Sequence, residues 1–143
     1  MRKYKLGEKH PNRNLYRVIY LRDIPRHHVS AGEEGGWVEH EGNLSQKADC
    51  VVLGEAKIYE NAKVYGNACI LTEAEIFGNA KVYDEASVSL YAKVFDNAKI
   101  YGKTDITHNA RIGGNMKLKD GKSYSEAPTL LSKIIKNSRL TTK

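Results

Sequence analysis

A six-residue repeat runs through the middle of the chain and is clear in residues 62–85, AKVYGNACILTEAEIFGNAKVYDE. An aliphatic residue occupies every sixth position, and a small residue lies two positions before it in all units but the last. The aliphatic positions are Val52, Ile58, Val64, Ile70, Ile76, Val82, Val88, Val94, Ile100, Ile106, Ile112 and Leu118. A period of six fits neither a single α-helix nor a β-hairpin, and it is typical of a repeat array.

Each unit predicts a short strand followed by a two-residue turn. In Ala62-Lys-Val-Tyr-Gly-Asn67 the alanine and valine would face one side and the lysine and tyrosine the other, because side chains alternate along a strand. Gly-Asn and Asp-Glu pairs favour turns. One unit cannot bury its apolar side alone, but stacked units can. Three units closing one coil give about eighteen residues per turn, so twelve units predict about four coils of an all-β, parallel β-helix.

The segment before the repeats adds a second signal. It contains Gly35-Gly36-Trp37-Val38-Glu39 and Asn43-Leu44-Ser45-Gln46, and tandem Ala-Lys-Val-Tyr-Gly-Asn units follow. This combination resembles the left-handed β-helix hexapeptide-repeat proteins of bacteriophages and prophages. The resemblance implies a left-handed coil, whereas ordinary crossover rules favour the right-handed form. Members of that group are often labelled acyltransferases on their fold alone, which is weak evidence for chemistry.

The repeat boundaries predict three regions. Residues 1–45 form an amino-terminal strand and loop cap, residues 46–121 form the β-helix, and residues 122–143 form a tail with a short helix. Within the cap, 1–13 is polar and basic, and we expect it to be loosely held. An open β-helix end must be covered.

Particular residues are expected to close the two ends. Leu15 to Leu21 has the composition of a strand, and residues 30–36 resemble a turn. Trp37, Val38 and Leu44 are expected to plug the open first coil. Apolar residues at helical spacing in 129–137 predict an amphipathic helix that caps the last coil or lies along a wall, of its own chain or of a neighbour. They are Leu130, Leu131, Ile134 and Ile135.

Composition narrows the environment. No stretch reaches the length of a membrane span, and the amino terminus lacks the apolar run of a secretion signal. Cys50 falls in an inward column and Cys69 in an outward one, so no disulfide between them is expected. These features predict a cytoplasmic protein, in a bacterial host by the resemblance. The net charge of +6 is modest.

Outward positions sort into three unlike walls when they are aligned at intervals of eighteen. Wall one begins apolar, with Val51 and Leu53, and becomes polar. Wall two carries the aromatic residues Tyr59, Phe77 and Phe95. Wall three carries alternating lysines and tyrosines, namely Lys63, Tyr65, Lys81, Tyr83, Lys99 and Tyr101, with Lys117 further along. A turn column of asparagines (Asn61, Asn79, Asn97 and Asn115) is expected to stack its amides between walls two and three.

Wall three is the predicted binding face. Stacked lysines beside tyrosines could meet phosphates, nucleobases or an acidic protein surface. The structural alternative is that tyrosines favour strands and lysines protect an exposed sheet from aggregation. Both interpretations stay open from the sequence.

The aromatic columns bear on self-association. Six exposed rings would exceed the apolar patch that a monomer usually shows. This favours a homo-oligomer, a dimer or trimer, with Tyr59, Phe77 and Phe95 as interface candidates. The alternative is that the rings lie flat on one another and expose little. Leu90-Tyr91 is a further interface candidate, since two large residues replace the usual turn pair there; packing against the amino-terminal segment is its alternative.

Enzyme activity is not favoured. By resemblance, acyltransferases of this fold use a histidine as general base on acyl-CoA substrates, at a site closed by a protruding loop. Here the repeats have no insertion and one histidine, His108, which is only a weak catalytic candidate. Three convergent histidines for zinc are lacking on the coils, and His27-His28 alone stays open. We therefore expect no cofactor and no metal.

The sequence favours a non-enzymatic binding or scaffold protein of phage or prophage type. It would act by protein–protein contact, and by resemblance it could inhibit a host or defence factor. The alternatives are a trimeric acyltransferase using His108 and a nucleic-acid-binding protein that uses the lysines and tyrosines of wall three. No membrane partner is expected.

Overall fold

The chain folds into a parallel β-solenoid with three walls, as seen in a computed structural model that describes residues 2–128. Each coil contributes one two-residue strand to each wall, and strands eighteen residues apart pair in parallel. Wall one is five strands deep, which gives about five turns, one more than the repeat predicts.

The amino-terminal cap consists of three antiparallel or mixed strands and two short 3₁₀ helices. The strands are β1 (Tyr4–Lys9), β2 (Tyr16–Tyr20) and β3 (Glu34–Val38), and the 3₁₀ helices are Pro25–His27 and Glu41–Asn43. β1 pairs with β2 and β2 with β3, both antiparallel, and β3 then joins wall two in parallel to the first solenoid strand there.

The solenoid strands follow at six-residue intervals. Wall one contains β4 (Val51–Val52), β7 (Cys69–Ile70), β10 (Ser87–Val88), β13 (Asp105–Ile106) and β16 (Ser123–Tyr124). Wall two contains β5 (Lys57–Ile58), β8 (Glu75–Ile76), β11 (Lys93–Val94) and β14 (Arg111–Ile112). Wall three contains β6 (Lys63–Val64), β9 (Lys81–Val82), β12 (Lys99–Ile100) and β15 (Lys117–Leu118).

The predicted inward columns are confirmed. Val64 pairs in register with Val82, and Val82 with Ile100, so these three side chains lie over one another. The alanines two positions earlier, such as Ala80 and Ala98, are also buried in the core. Burying each valine or isoleucine is worth about 1.5–3 kcal/mol, which makes this stacked column the main source of stability.

The parallel pairing continues beyond Gly121. Ser123 pairs with Asp105 and Tyr124 with Ile106, eighteen residues earlier in each case. Tyr124 therefore takes the inward position of a fifth strand on wall one, where it packs partly buried against the core. The change from Ile or Val to Tyr is why the periodic pattern does not reveal this strand.

Every corner of the solenoid turns on a residue with positive φ. Twelve such residues lie at six-residue intervals: Ala48, Gly54, Glu60, Gly66, Thr72, Gly78, Asp84, Leu90, Asp96, Gly102, His108 and Gly114. At two of the three corners, acidic residues and glycines alternate from coil to coil. There Gly78 N donates to Glu60 Oε1 at 2.9 Å and Gly102 N donates to Asp84 Oδ2 at 3.0 Å, so the acid secures the next coil.

The cap satisfies the open edge of the first coil. In the solenoid, each outward N–H donates to a carbonyl seventeen residues later, as Lys63 N does to Ala80 O at 3.0 Å. First-coil carbonyls lack that donor, and the cap supplies one. On wall two, Trp37 N of β3 donates to Ala56 O at 2.9 Å, and Glu39 N, just after β3, donates to Ile58 O at 3.1 Å. On wall three, Asn43 Nδ2 donates to Ala62 O at 2.9 Å.

Wall one is closed by side chains. Tyr20 Oη donates to Val52 O and accepts from Val52 N, both at 2.8 Å. The buried Lys3 Nζ donates to Cys50 O at 2.6 Å, and its burial lowers the pKa of that amine. Arg22 Nη2 donates to Ala48 O at 2.8 Å at the adjoining corner. A tyrosine, a lysine and an arginine thus replace a missing strand.

Three predictions about the cap are corrected. Within the segment 1–13, which was expected to be loosely held, residues 3–9 are fixed, because β1 pairs with β2 and Lys3 and Tyr4 are buried. Residues 30–36 are not a turn throughout, since β3 begins at Glu34. Trp37 does not plug the coil: it lies in register with outward-facing Lys57, while Val38 and Leu44 align with the inward Ile58 and Val64.

Two predictions are not tested by the structure. The amphipathic helix at 129–137 lies outside the described residues, and the left-handed coil stays an implication of the resemblance. Within residues 2–128, no helix is long and apolar enough to cross a membrane.

Corner glycines are expected to be essential where the next coil lies close. An ideal Cβ on Gly78 would lie 2.9 Å from Asp96 N, whereas one on Gly114 meets nothing within 4 Å; both glycines have positive φ. Gly78→Ala should lower the free energy of unfolding in urea by about 2–4 kcal/mol, through backbone strain plus a clash. Gly114→Ala should cost about 1 kcal/mol. Equal losses would contradict the close coil contact.

Tyr20 is expected to anchor the cap by its hydroxyl. Tyr20→Phe removes both hydrogen bonds to Val52 and leaves two buried backbone groups unpaired, which should cost about 2–4 kcal/mol of unfolding free energy. Tyr16→Phe, on the same strand and only partly buried, is the control and should change stability by less than about 0.5 kcal/mol. Urea melts of both variants check this, and a neutral Tyr20→Phe would show that the edge is closed in another way.

Candidate partner-binding face

Wall three presents a straight column of lysines. Lys63, Lys81, Lys99 and Lys117 pair in register, so their stems leave the sheet at the strand spacing of about 4.8 Å. With the four asparagines of the neighbouring turn column they line a groove of about 570 Å³. The structure therefore brings the predicted lysines together, with Lys117 continuing their row as the spacing predicts.

The tyrosines of wall three form a stacked ladder beside the lysines. Ring centroids of Tyr65 and Tyr83 are 4.7 Å apart at an interplanar angle of 3°, and those of Tyr83 and Tyr101 are 4.9 Å apart at 4°. The facing ring surfaces are thus covered by each other, and the ring edges point outward. Tyr65 is 36% exposed. Burial raises the pKa of Tyr65 and of Tyr83, so both hydroxyls stay neutral donors at physiological pH.

The lysines of the column form no direct ion pair within residues 2–128. The ion pairs found there involve arginines. Ammonium groups held at the strand spacing of about 4.8 Å would repel each other by about 0.9 kcal/mol per pair in bulk water, and flexible stems reduce this cost by splaying apart. A partner that neutralises the column would relieve this repulsion.

The asparagine column differs from its prediction. Asn61, Asn79, Asn97 and Asn115 are all exposed, and no hydrogen bond between their amides is found in the described part of the chain. The amides therefore remain available to a ligand in the groove, next to the lysines. Sequence reasoning treated them as structural and did not include them in the binding set.

Wall two is packed more tightly than expected. Tyr59 stacks on Phe77 at 5.1 Å and Phe77 on Phe95 at 5.3 Å. The guanidinium groups of Arg13 and Arg111 cover the two ends of the stack, 4.9 Å from the Tyr59 ring and 5.5 Å from the Phe95 ring. Tyr59 Oη donates to Glu75 Oε1 at 2.7 Å, and burial together with that carboxylate raises the Tyr59 pKa to about 12.

This packing bears on self-association. The rings lie flat on one another, as in the alternative considered from the sequence, so the six aromatic side chains do not expose their full area. The exposed area therefore no longer argues for an oligomer. Association of subunits through Tyr59, Phe77 and Phe95 stays a prediction.

The Leu90-Tyr91 corner is the most exposed apolar feature among the described residues. Leu90 is 37% and Tyr91 57% exposed, so the amino-terminal segment does not cover them. Leu90 also has a φ of 60°, a conformation that is unfavourable for a bulky side chain. Tyr91 borders a groove of about 400 Å³ that mixes acidic residues, such as Glu73, with basic ones, such as Lys93.

His108 lies at the same corner without the surroundings of a general base. It is exposed, its Nδ1 lies 2.8 Å from Thr107 Oγ1, and no carboxylate within residues 2–128 is hydrogen-bonded to the ring. His27 is only half-exposed and its Nε2 contacts Asn67 O at 3.1 Å, while burial lowers the His27 pKa. No group of three potential metal ligands is found between residues 2 and 128. Cys50 and Cys69 are free thiols, as predicted.

Comparison with known proteins adds no assignment. The sequence matches no protein-family model and no curated protein.

The tyrosine ladder should contribute measurably to stability. Tyr83→Ala removes two stacked contacts and should lower the free energy of unfolding by about 1–3 kcal/mol, since each aromatic pair is worth about 0.5–1.5 kcal/mol. Tyr91→Ala removes an exposed ring that stacks on no other and should cost less than about 0.5 kcal/mol. Urea denaturation measures the free energy of unfolding of both variants. A similar loss for the two would show that the stacked rings do not add to stability.

Proposed function

We propose that this protein is a non-enzymatic binding protein that holds an anionic partner along wall three. The observation that supports this most is the column of Lys63, Lys81, Lys99 and Lys117, which form no salt bridge within residues 2–128, beside exposed asparagine amides. Like charges in a column repel each other, so the column by itself does not stabilise the fold. A column retained over four coils is explained if a partner neutralises it.

The site chemistry is that of recognition. Lysine ammonium groups, asparagine amides and tyrosine hydroxyl groups can hydrogen-bond an anion, but none of them is paired with a base that would activate a nucleophile. His108 lies at the corner between walls one and two, so it does not belong to this face. An acyltransferase using His108 is the weaker candidate, since its ring lacks an orienting carboxylate.

The phage and prophage resemblance supports a more specific role. We infer an accessory protein acting in the bacterial cytoplasm, where it would bind and inhibit a host or defence factor by surface contact. A rigid solenoid suits this role because its wall is preorganised, so little conformational entropy is lost on binding. Self-association into a dimer or trimer is compatible with it, because wall two lies on a different face.

Capture from a bacterial lysate tests the proposal. Immobilised protein should retain a partner, identified by mass spectrometry, that the double variant Lys81→Glu/Lys99→Glu loses. The matched control is Lys57→Glu/Lys93→Glu, which makes the same charge change at equivalent outward positions of wall two and should retain the partner. Thermal melts should confirm that both variants fold. Retention by both variants, or loss by both, would contradict a role for wall three.

A further inference from the structure

Most of the positive charge of wall three lies in a single file, with the exposed Lys119 as the exception in the tyrosine column of the last coil. Lys63 to Lys117 form one column, with uncharged asparagines on one side and tyrosine edges on the other for three coils. Three strand intervals of about 4.8 Å give a row about 14 Å long. A partner that matches this row needs a narrow line of negative charge.

Negative rims border this row on both sides. The corner beyond the asparagines carries Glu60 and Asp96, and the corner beyond the tyrosines carries Asp84, Glu85 and Asp120, all exposed. The second rim is partly offset, because Lys103 also lies there and Arg26 Nη1 is 3.9 Å from Glu85 Oε2. Glycine amides of the next coil hold the first two and Asp84 in place, for example Gly114 N on Asp96 Oδ2 at 2.9 Å. A broad polyanion such as a DNA duplex would place phosphates against these carboxylates and be repelled by them.

The tyrosine ladder disfavours single-stranded nucleic acid. Proteins that bind single strands stack the bases on open aromatic faces. Here the faces of Tyr83 are covered by Tyr65 and Tyr101, at 4.7 and 4.9 Å, and only ring edges and hydroxyl groups face outward. The ladder can therefore donate hydrogen bonds to carboxylates, and it offers a base at most the outer ring faces of Tyr65 and Tyr101 at its two ends.

An acidic α-helix matches the row in length and width. Carboxylates at positions i, i+3, i+7 and i+10 lie on one helix face and span about 15 Å, because the rise is 1.5 Å per residue. An extended strand would space its four same-face carboxylates over about 20 Å. The helix therefore fits the row to within about 1 Å, whereas the strand exceeds it by about 6 Å, which the lysine stems would have to take up by splaying along the solenoid axis.

We propose, resting on the proposed function, that wall three binds a protein partner through a single acidic stripe on an α-helix that runs along the solenoid axis. The four lysines pair with the stripe, and the asparagine amides and tyrosine hydroxyl groups bond the same carboxylates from the two sides. Residues that flank the stripe must be neutral or basic, since they face the acidic rims.

Binding of defined probes to the full chain tests this. The probes are a helical peptide with glutamates at i, i+3, i+7 and i+10, an isomer of the same composition and helicity with its glutamates distributed around the helix, a single-stranded oligonucleotide and a short DNA duplex. Fluorescence anisotropy at about 50 and about 200 mM salt gives each affinity. The striped peptide should bind at least 10-fold more tightly than its isomer and than both nucleic acids.

The wall variants provide the controls. The double variant Lys81→Glu/Lys99→Glu should lower the affinity for the striped peptide at least 10-fold. The control Lys57→Glu/Lys93→Glu should leave that affinity within 2-fold of the unaltered protein. Equal affinity for the two peptides, or tighter binding of either nucleic acid, would overturn the helix proposal. The proposed function would still stand if capture from the lysate depends on Lys81 and Lys99. If that dependence is itself missing, it is the proposed function that fails.

Discussion

The structure depends on one backbone interaction, the hydrogen bond from an outward residue to the carbonyl seventeen positions later. Tyr65 N donates to Val82 O and Tyr83 N to Ile100 O by this rule. The rule fixes the stacking of equal positions, and stacking decides everything on the surface: lysine lies over lysine and tyrosine over tyrosine. A binding face one residue wide and four coils long is a direct consequence.

The same ladder creates the protein's main structural problem. A first coil has acceptors without donors, and unpaired buried carbonyls are costly. The cap satisfies them with one strand and with the side chains of Tyr20, Lys3, Asn43 and Arg22. This explains why forty-odd residues without a repeat precede the solenoid, and why a lysine is fully buried near the amino terminus.

The periodic part of the fold was predictable from the sequence, because the inward aliphatic column and the small residue before it leave one arrangement that buries both. The three walls could then be assigned by aligning the outward positions at intervals of eighteen residues. The cap was not predictable, since Lys3 and Tyr20 act through single hydrogen bonds that no pattern marks. The strand that contains Tyr124 was also not predicted, because a tyrosine occupies its inward position in place of an aliphatic residue.

The candidate face was predicted only in part. Lys63, Lys81 and Lys99 were recognised from their spacing, but spacing cannot tell whether rings stack or splay, and this decides which partners fit. The acidic residues at the corners were interpreted as ordinary turn formers. Their role as rims depends on positive φ and on a glycine amide in the next coil, which are properties of the folded backbone.

Amide hydrogen exchange followed residue by residue tests the coil-to-coil ladder most directly. The amides of Lys63, Tyr65, Lys81 and Tyr83 all donate to the next coil, and they should exchange slowly and with similar protection. The turn amide of Tyr91 also donates, to His108 O at 2.9 Å, and it should be protected although the side chain of Tyr91 is exposed. Rapid exchange at these positions, or protection that does not recur every six residues, would contradict the stacked solenoid and the surface that it builds.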